Sequence, residues 1–150
     1  MQVIDFKRFI GFSCLLALLL VVTGCSSEVT SDDSPPDVQY TAGERMMKQG
    51  RYLEAVERFR ILRTRYPYSK FAPMASLRIG DVFFAEESFG EAAAAYKLFR
   101  ELYPKNEQNS YALFRVGESQ FNQVPDSIDR DLTSAKDGID AFEEATLFAP

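Results

Sequence analysis

Histidine and tryptophan are missing from this 150-residue chain, and there are only two cysteines, Cys14 and Cys25. Without histidine there is no Ser-His or Cys-His hydrolase arrangement, no ordinary zinc site and no imidazole proton shuttle. Positive charge is also scarce: 17 Lys and Arg stand against 22 Asp and Glu, for a formal charge of −5. A nucleic-acid binder normally carries a basic stripe, so this balance points away from nucleic acid. What remains is an ordinary globular composition, 46% hydrophobic and 26% charged, at a length that suits about one domain. Composition favours binding over catalysis and implies no cofactor.

The first residues read as an address. Lys7 and Arg8 precede an apolar run from Phe9 to Val22, which is shorter than the roughly 20 residues a membrane-spanning helix needs. Residues 1–24 are therefore expected to be a signal peptide. The sequence Val22-Thr23-Gly24-Cys25 resembles a bacterial lipobox, in which small residues admit the peptidase and the thiol takes up lipid. Cys25 is the expected lipidation site. Several acyl chains would hold the chain firmly on a membrane, at about 0.8 kcal/mol per buried methylene. Ser26 in the next position implies, by the same resemblance, sorting to the outer membrane. Cys14 leaves with the signal peptide, so no intramolecular disulfide is possible afterwards. Residues 25–38 are polar and acidic with a Pro-Pro pair, too poor in apolar side chains to pack, and are expected to form a flexible tether.

Beyond the tether a spacing of 37 recurs. It separates Gly43, Gly80 and Gly117, and also Pro67 and Pro104. A gapless shift of 37 lays residues 52–67 on 89–104 and 75–80 on 112–117, with Glu54/Glu91, Ala55/Ala92, Arg63/Arg100, Tyr66/Tyr103, Ala75/Ala112 and Arg78/Arg115 identical. Such a period marks stacked supersecondary units. Ala55-Phe59-Leu62 and Ala92-Tyr96-Phe99 have the spacing of an amphipathic helix, and Pro67 and Pro104 close those helices. The expected units are helix pairs: 39–49 with 52–65, 71–86 with 89–102, and 108–122 with 133–148. Gly43, Gly80 and Gly117, with Ala55 and Ala92, are expected to be repeat-packing positions where helices cross closely.

The pattern resembles the tetratricopeptide repeat, although its early tryptophan is replaced by Gln39, Ser76 and Ala112. The resemblance implies an all-α helix-pair solenoid of about three repeats and six helices over 39–150, divided 39–69, 70–106 and 107–150. The third unit is longer by about nine residues, and the register of Gly117 puts the excess between its two helices, around 122–132. There Pro125 closes one helix, and Asp131 or Thr133 can cap the next. Asp126, Asp129 and Asp131 lack the pattern of a calcium hand, so no metal is expected.

Function in such a stack usually lies on the face of the first helices. Positions recurring there are Tyr40/Leu77/Phe114 and Met47/Phe84/Phe121, beside an acidic column of Glu44, Asp81 and Glu118. Those six apolar residues are the expected peptide-binding set, with inter-repeat packing as the alternative role. Arg51, Arg58, Arg60, Arg63 and Arg65 make the second helix of the first unit and its leading residue strongly basic, suited to a solvated outer face or to a docking partner.

Taken together, the lipobox, the acidic tether, the Pro35-Pro36 and Tyr40 opening, the Tyr-Pro helix endings and Asp129-Arg130-Asp131 before Ala135, Phe142 and Pro150 resemble the BamD family of outer-membrane β-barrel assembly lipoproteins. That resemblance implies a non-catalytic scaffold, lipid-anchored at the periplasmic face of the outer membrane. It would bind unfolded β-barrel precursors, the BamA subunit and other assembly-machine subunits. The family usually has five repeats, so a chain ending at Pro150 is expected to be C-terminally truncated. Other envelope repeat proteins remain as alternatives: a Tol-Pal coordinator, a pilus-assembly lipoprotein, or the anchor region of a longer envelope enzyme.

Overall fold

The computed structural model describes residues 33–124 and 132–148. The signal peptide, Cys25, most of the tether, and the inserted Pro125, Asp126, Asp129 and Asp131 lie outside the described residues. Among the described residues six helices follow one another: α1 Pro36–Lys48, α2 Tyr52–Arg65, α3 Phe71–Ala85, α4 Phe89–Leu102, α5 Asn109–Phe121 and α6 Thr133–Phe148. Each packs on its successor, and α1 also reaches α3. This is the all-α helix-pair stack that the period of 37 anticipates.

Helix ends follow local chemistry. α1 opens at Pro36, three residues earlier than expected, because proline at the first helical position needs no hydrogen-bond partner for its nitrogen and has its φ preset. α2 and α4 both stop one residue before a Tyr-Pro dipeptide. Their last residues are followed by Tyr66 (φ −124°, ψ 56°) and Tyr103 (φ −130°, ψ 59°), nearly the same conformation twice. The residue before proline is pushed out of the helical region, which ends both helices at the same place in the repeat. The chain then turns alike in each, with Ser69 N–H donating to Tyr66 C=O and Asn106 N–H to Tyr103 C=O, both at 3.0 Å.

Two apolar clusters form the core, one around Phe59, Leu62, Ile79 and Val82 and the other around Tyr96, Phe99, Leu113 and Val116. Phe83 packs against both and joins them. Burying a ring as completely as Phe59 contributes about 1.5–3 kcal/mol.

The repeating glycines have one environment. A Cβ on Gly43 would stand 2.6 Å from the ring of Phe59, on Gly80 2.6 Å from Tyr96, and on Gly117 2.6 Å from Phe142. Each first helix thus accepts an aromatic face from the second helix of its own pair. Ala55 and Ala92 are fully buried, one helical turn before Phe59 and Tyr96. Their counterpart is Gly138, whose Cβ would lie 3.3 Å from the Gly117 carbonyl oxygen. Phe59 to Tyr96 is 37 residues and Tyr96 to Phe142 is 46, which confirms a nine-residue lengthening before α6. One register needs correcting: the third-repeat counterpart of buried Gln39 and Ser76 is Leu113, not Ala112. The 37-residue shift applied without gaps leads to Leu113, and its side chain is equally buried.

Candidate functional site: the first-helix face

On α1, α3 and α5 the acidic column is tied by arginines. Arg78 Nε lies 2.8 Å from a Glu44 carboxylate oxygen on the preceding first helix, and its Nη1 lies 2.8 Å from Asp81 Oδ2 on its own. Arg78 Nε also donates to the Tyr40 hydroxyl at 3.3 Å. Asp81 Oδ1 accepts from Tyr96 Oη at 2.7 Å and from Tyr111 Oη at 3.0 Å. Arg115 continues the chain, donating to Tyr96 Oη at 3.2 Å and pairing with Glu118 at 2.8 Å. Its guanidinium also stacks on the Phe84 ring, 3.6 Å from the ring centre. Glu44, Arg78, Asp81, Tyr96, Arg115 and Glu118 therefore form one polar ladder across all three repeats.

Burial and charge tune this ladder. Asp81 is 6% exposed, so its carboxylate needs the donors it has. Tyr96 is fully buried; burial, reinforced by the Asp81 charge, pushes its phenol well above the ordinary range. Tyr111 and Tyr40 are also pushed up, chiefly by burial. For Arg78, burial alone would favour deprotonation, but bonds to Tyr40 and Asp81 and the Glu44 charge outweigh it and hold the guanidinium cationic. The same contest, with Tyr96 as main hydrogen-bond partner, ends the same way at Arg115.

Beside the ladder lies a groove of about 420 Å³, lined by Tyr40, Lys70, Met74, Leu77, Arg78, Asp81 and Tyr111, with the turn residues Asn106 to Gln108 at one end. Met74 and Tyr111 are exposed within it. Of the six residues expected to bind peptide, only Tyr40 and Leu77 line this groove. Tyr40 is half-buried, its ring 5.7 Å from Phe59 and 5.6 Å from Phe71. Met47 packs on the first core cluster. Phe84 packs on the second, between Phe89 and Arg115. Phe114 and Phe121 are exposed, with Phe114 resting against Phe142. One repeat position thus yields a packed side chain in one unit and an exposed one in another, because what covers it is the next repeat.

Sequence reasoning passed over Met74, Tyr111 and the two arginines. Arg78 and Arg115 were visible as a coincidence at 37, each three residues before an acidic position and thus on the same helix face. The basic run of α2 is largely engaged. Arg51 pairs with Glu54, Arg65 with Asp33, and Arg58 donates to Gln39.

Comparison with known proteins gives consistent relatives. The family model YfiO, described as outer membrane lipoprotein, matches residues 32–147. A protein of Caulobacter vibrioides is 25% identical over 86% of this chain and 44% of its own length. One of Neisseria gonorrhoeae is 26% identical over 86% and 54%, and one of Rickettsia prowazekii 27% over 92% and 55%. All three are named outer membrane protein assembly factor BamD. The chain spans about half the length of these relatives. Among the described residues, no helix is long and apolar enough to cross a membrane.

Proposed function

The chain belongs to the YfiO outer membrane lipoprotein family, and on that premise we propose that it is a non-catalytic scaffold for assembling outer-membrane β-barrel proteins. The observation that carries this reading is the first-helix groove, where Met74, Leu77 and Tyr111 stand beside a fixed Arg78–Asp81 pair. An extended segment of an unfolded precursor can seat an apolar side chain among the first three. Its backbone and polar groups would then meet the ladder. Rigid first helices present these groups without reordering, which lowers the entropic cost of binding. The groove residues supersede Met47, Phe84, Phe114 and Phe121 as the centre of the peptide site.

Lipid at Cys25 anchors the scaffold at the periplasmic face of the outer membrane, and residues 25–35 tether it. BamA and other assembly subunits are its partners, and the barrel precursor is its cargo.

The test is anisotropy of a labelled peptide copied from the C-terminal strand of an outer-membrane barrel. Met74→Ala and Tyr111→Ala weaken binding about five- to tenfold, equivalent to about 1–1.4 kcal/mol. Phe121→Ala leaves it unchanged. Loss on Phe121→Ala with no effect of Met74→Ala would relocate the site. Separately, Cys25→Ser releases the protein from the membrane fraction of cells; retention there would refute the anchor.

A further inference from the structure

On the opposite side of the stack, a second groove of about 250 Å³ runs between α2 and α4, lined by Arg60, Arg63, Ile79, Phe83, Ala95 and Leu98. Its floor is apolar. Arg63 donates one long hydrogen bond, 3.5 Å to Ser76 Oγ, and lies near the Tyr103 phenol. Among the described residues, no carboxylate lies within ion-pair distance of Arg60 or Arg63. Glu91, the one acidic residue on the groove wall, is exposed and pairs with neither.

Repeat symmetry shows what such a place holds when it is filled. Arg63 corresponds to Arg100, Phe83 to Gln120 and Leu98 to Glu144, by the shifts of 37 and 46 that superpose the glycine–aromatic contacts. In the later unit Arg100 is paired with Glu144 at 2.7 Å. Gln120, with its amide oriented to suit both neighbours, accepts from Lys97 Nζ at 3.2 Å and donates to the Asp137 carbonyl at 3.0 Å. The chain thus supplies its own carboxylate and amide there. At the corresponding positions around the α2–α4 groove it places Leu98 and Phe83 instead, so Arg63 faces an apolar trough whose one carboxylate, Glu91, does not pair with it.

We propose that the α2–α4 groove is a docking site for a partner-protein segment that carries an acidic side chain next to an aliphatic one. The carboxylate would pair with Arg63, as Glu144 does with Arg100, and the aliphatic group would cover Phe83 and Leu98. Charge complementarity selects this occupant. The guanidinium offers paired N–H donors that suit a carboxylate, and the floor excludes a purely polar segment. A basic segment is disfavoured by Arg60 and Arg63 together.

The experiment uses the full chain in detergent micelles and a fluorescein-labelled probe, acetyl-Ala-Leu-Glu-Ala-Leu-Glu-Ala-amide, beside its Gln-for-Glu counterpart. Anisotropy is expected to give at least fivefold tighter binding of the Glu peptide. Arg63→Gln abolishes that preference. Leu98→Glu, which supplies the missing carboxylate within the chain, blocks the probe while circular dichroism shows unchanged helicity. Met74→Ala, on the first-helix face, has no effect, so failure here is distinguishable from failure of the peptide site. Equal binding of both peptides, no binding of either, or binding that survives both Arg63→Gln and Leu98→Glu would overturn the proposal.

Discussion

Glu87 occupies the turn position that Gly50 fills 37 residues earlier, and both backbones take positive φ, 61° and 71°. Gly50 adopts it without penalty, whereas a side chain in this region crowds its own backbone at about 1–2 kcal/mol. Glu87→Gly is expected to stabilise the protein by about 0.5–1 kcal/mol, the relieved strain less the added freedom of glycine in the unfolded chain. Urea denaturation measures it, and a destabilised variant would contradict the strain at Glu87.

Glycine works oppositely in the helices. Gly80→Ala drives a methyl to 2.6 Å from the rigid, fully buried Tyr96 ring and should cost about 2–3 kcal/mol. Gly90 is the control: a Cβ there would meet only the Gln123 side-chain oxygen, at 3.6 Å. Gly90→Ala is expected to be neutral or to stabilise by up to about 1 kcal/mol. Thermal melts that rank the two alike would show that the crossing has room to spare.

The ladder also has a measurable strength. Arg78→Gln removes the cation from a 6%-exposed Asp81 and from Glu44 together. Breaking a fully buried pair costs about 3–5 kcal/mol, but the Arg78 side chain is 39% exposed, so about 1–2 kcal/mol is expected after screening. A double-mutant cycle with Glu44→Gln should show coupling between the two. Purely additive effects would mean that the pair contributes nothing of its own.

Alkali should find the tyrosines. Phenols in the unfolded chain release protons near pH 10, while Tyr96, Tyr111 and Tyr40 hold theirs to higher pH in the fold. Above about pH 10 the unfolded state therefore binds fewer protons than the native state, and stability falls as pH rises. Below that pH these groups contribute in full, and without histidine there is no imidazole step between pH 5 and 8. Denaturation midpoints at pH 8, 9.5, 10.5 and 11 should trace the fall, and Tyr96→Phe should flatten it. An equally steep fall in Tyr96→Phe would assign it to other groups.

Much of this molecule is legible in its sequence. Gly43, Gly80 and Gly117 announced the helix pairs, Tyr-Pro fixed two helix ends, and the retained register of Gly117 in a longer third unit located the lengthened connection. What sits above each glycine was not legible. The small residues Ala55 and Ala92 were the natural candidates, but the nearest atoms belong to rings one turn further on. A period places a side chain on a face; it does not say whether the next unit covers that face. Met47 and Phe84 therefore pack on the core clusters while Phe121 of the same column is exposed, and Tyr40 both rests on Phe59 and Phe71 and lines the groove. The arginines show only half of their pairing in the sequence. Their partners lie on a neighbouring helix as well as their own, so the pairing emerges only once α1, α3 and α5 stand side by side.

The chain of charges and phenols from Glu44 to Glu118 stitches all three repeats along the first-helix face, whereas the Arg100–Glu144 pair ties only the second helices of the last two. A force that splays the first helices apart must pull ions from their counterions, whereas one that draws them together need not. The stack should thus resist being pried open along that face more than being squeezed there.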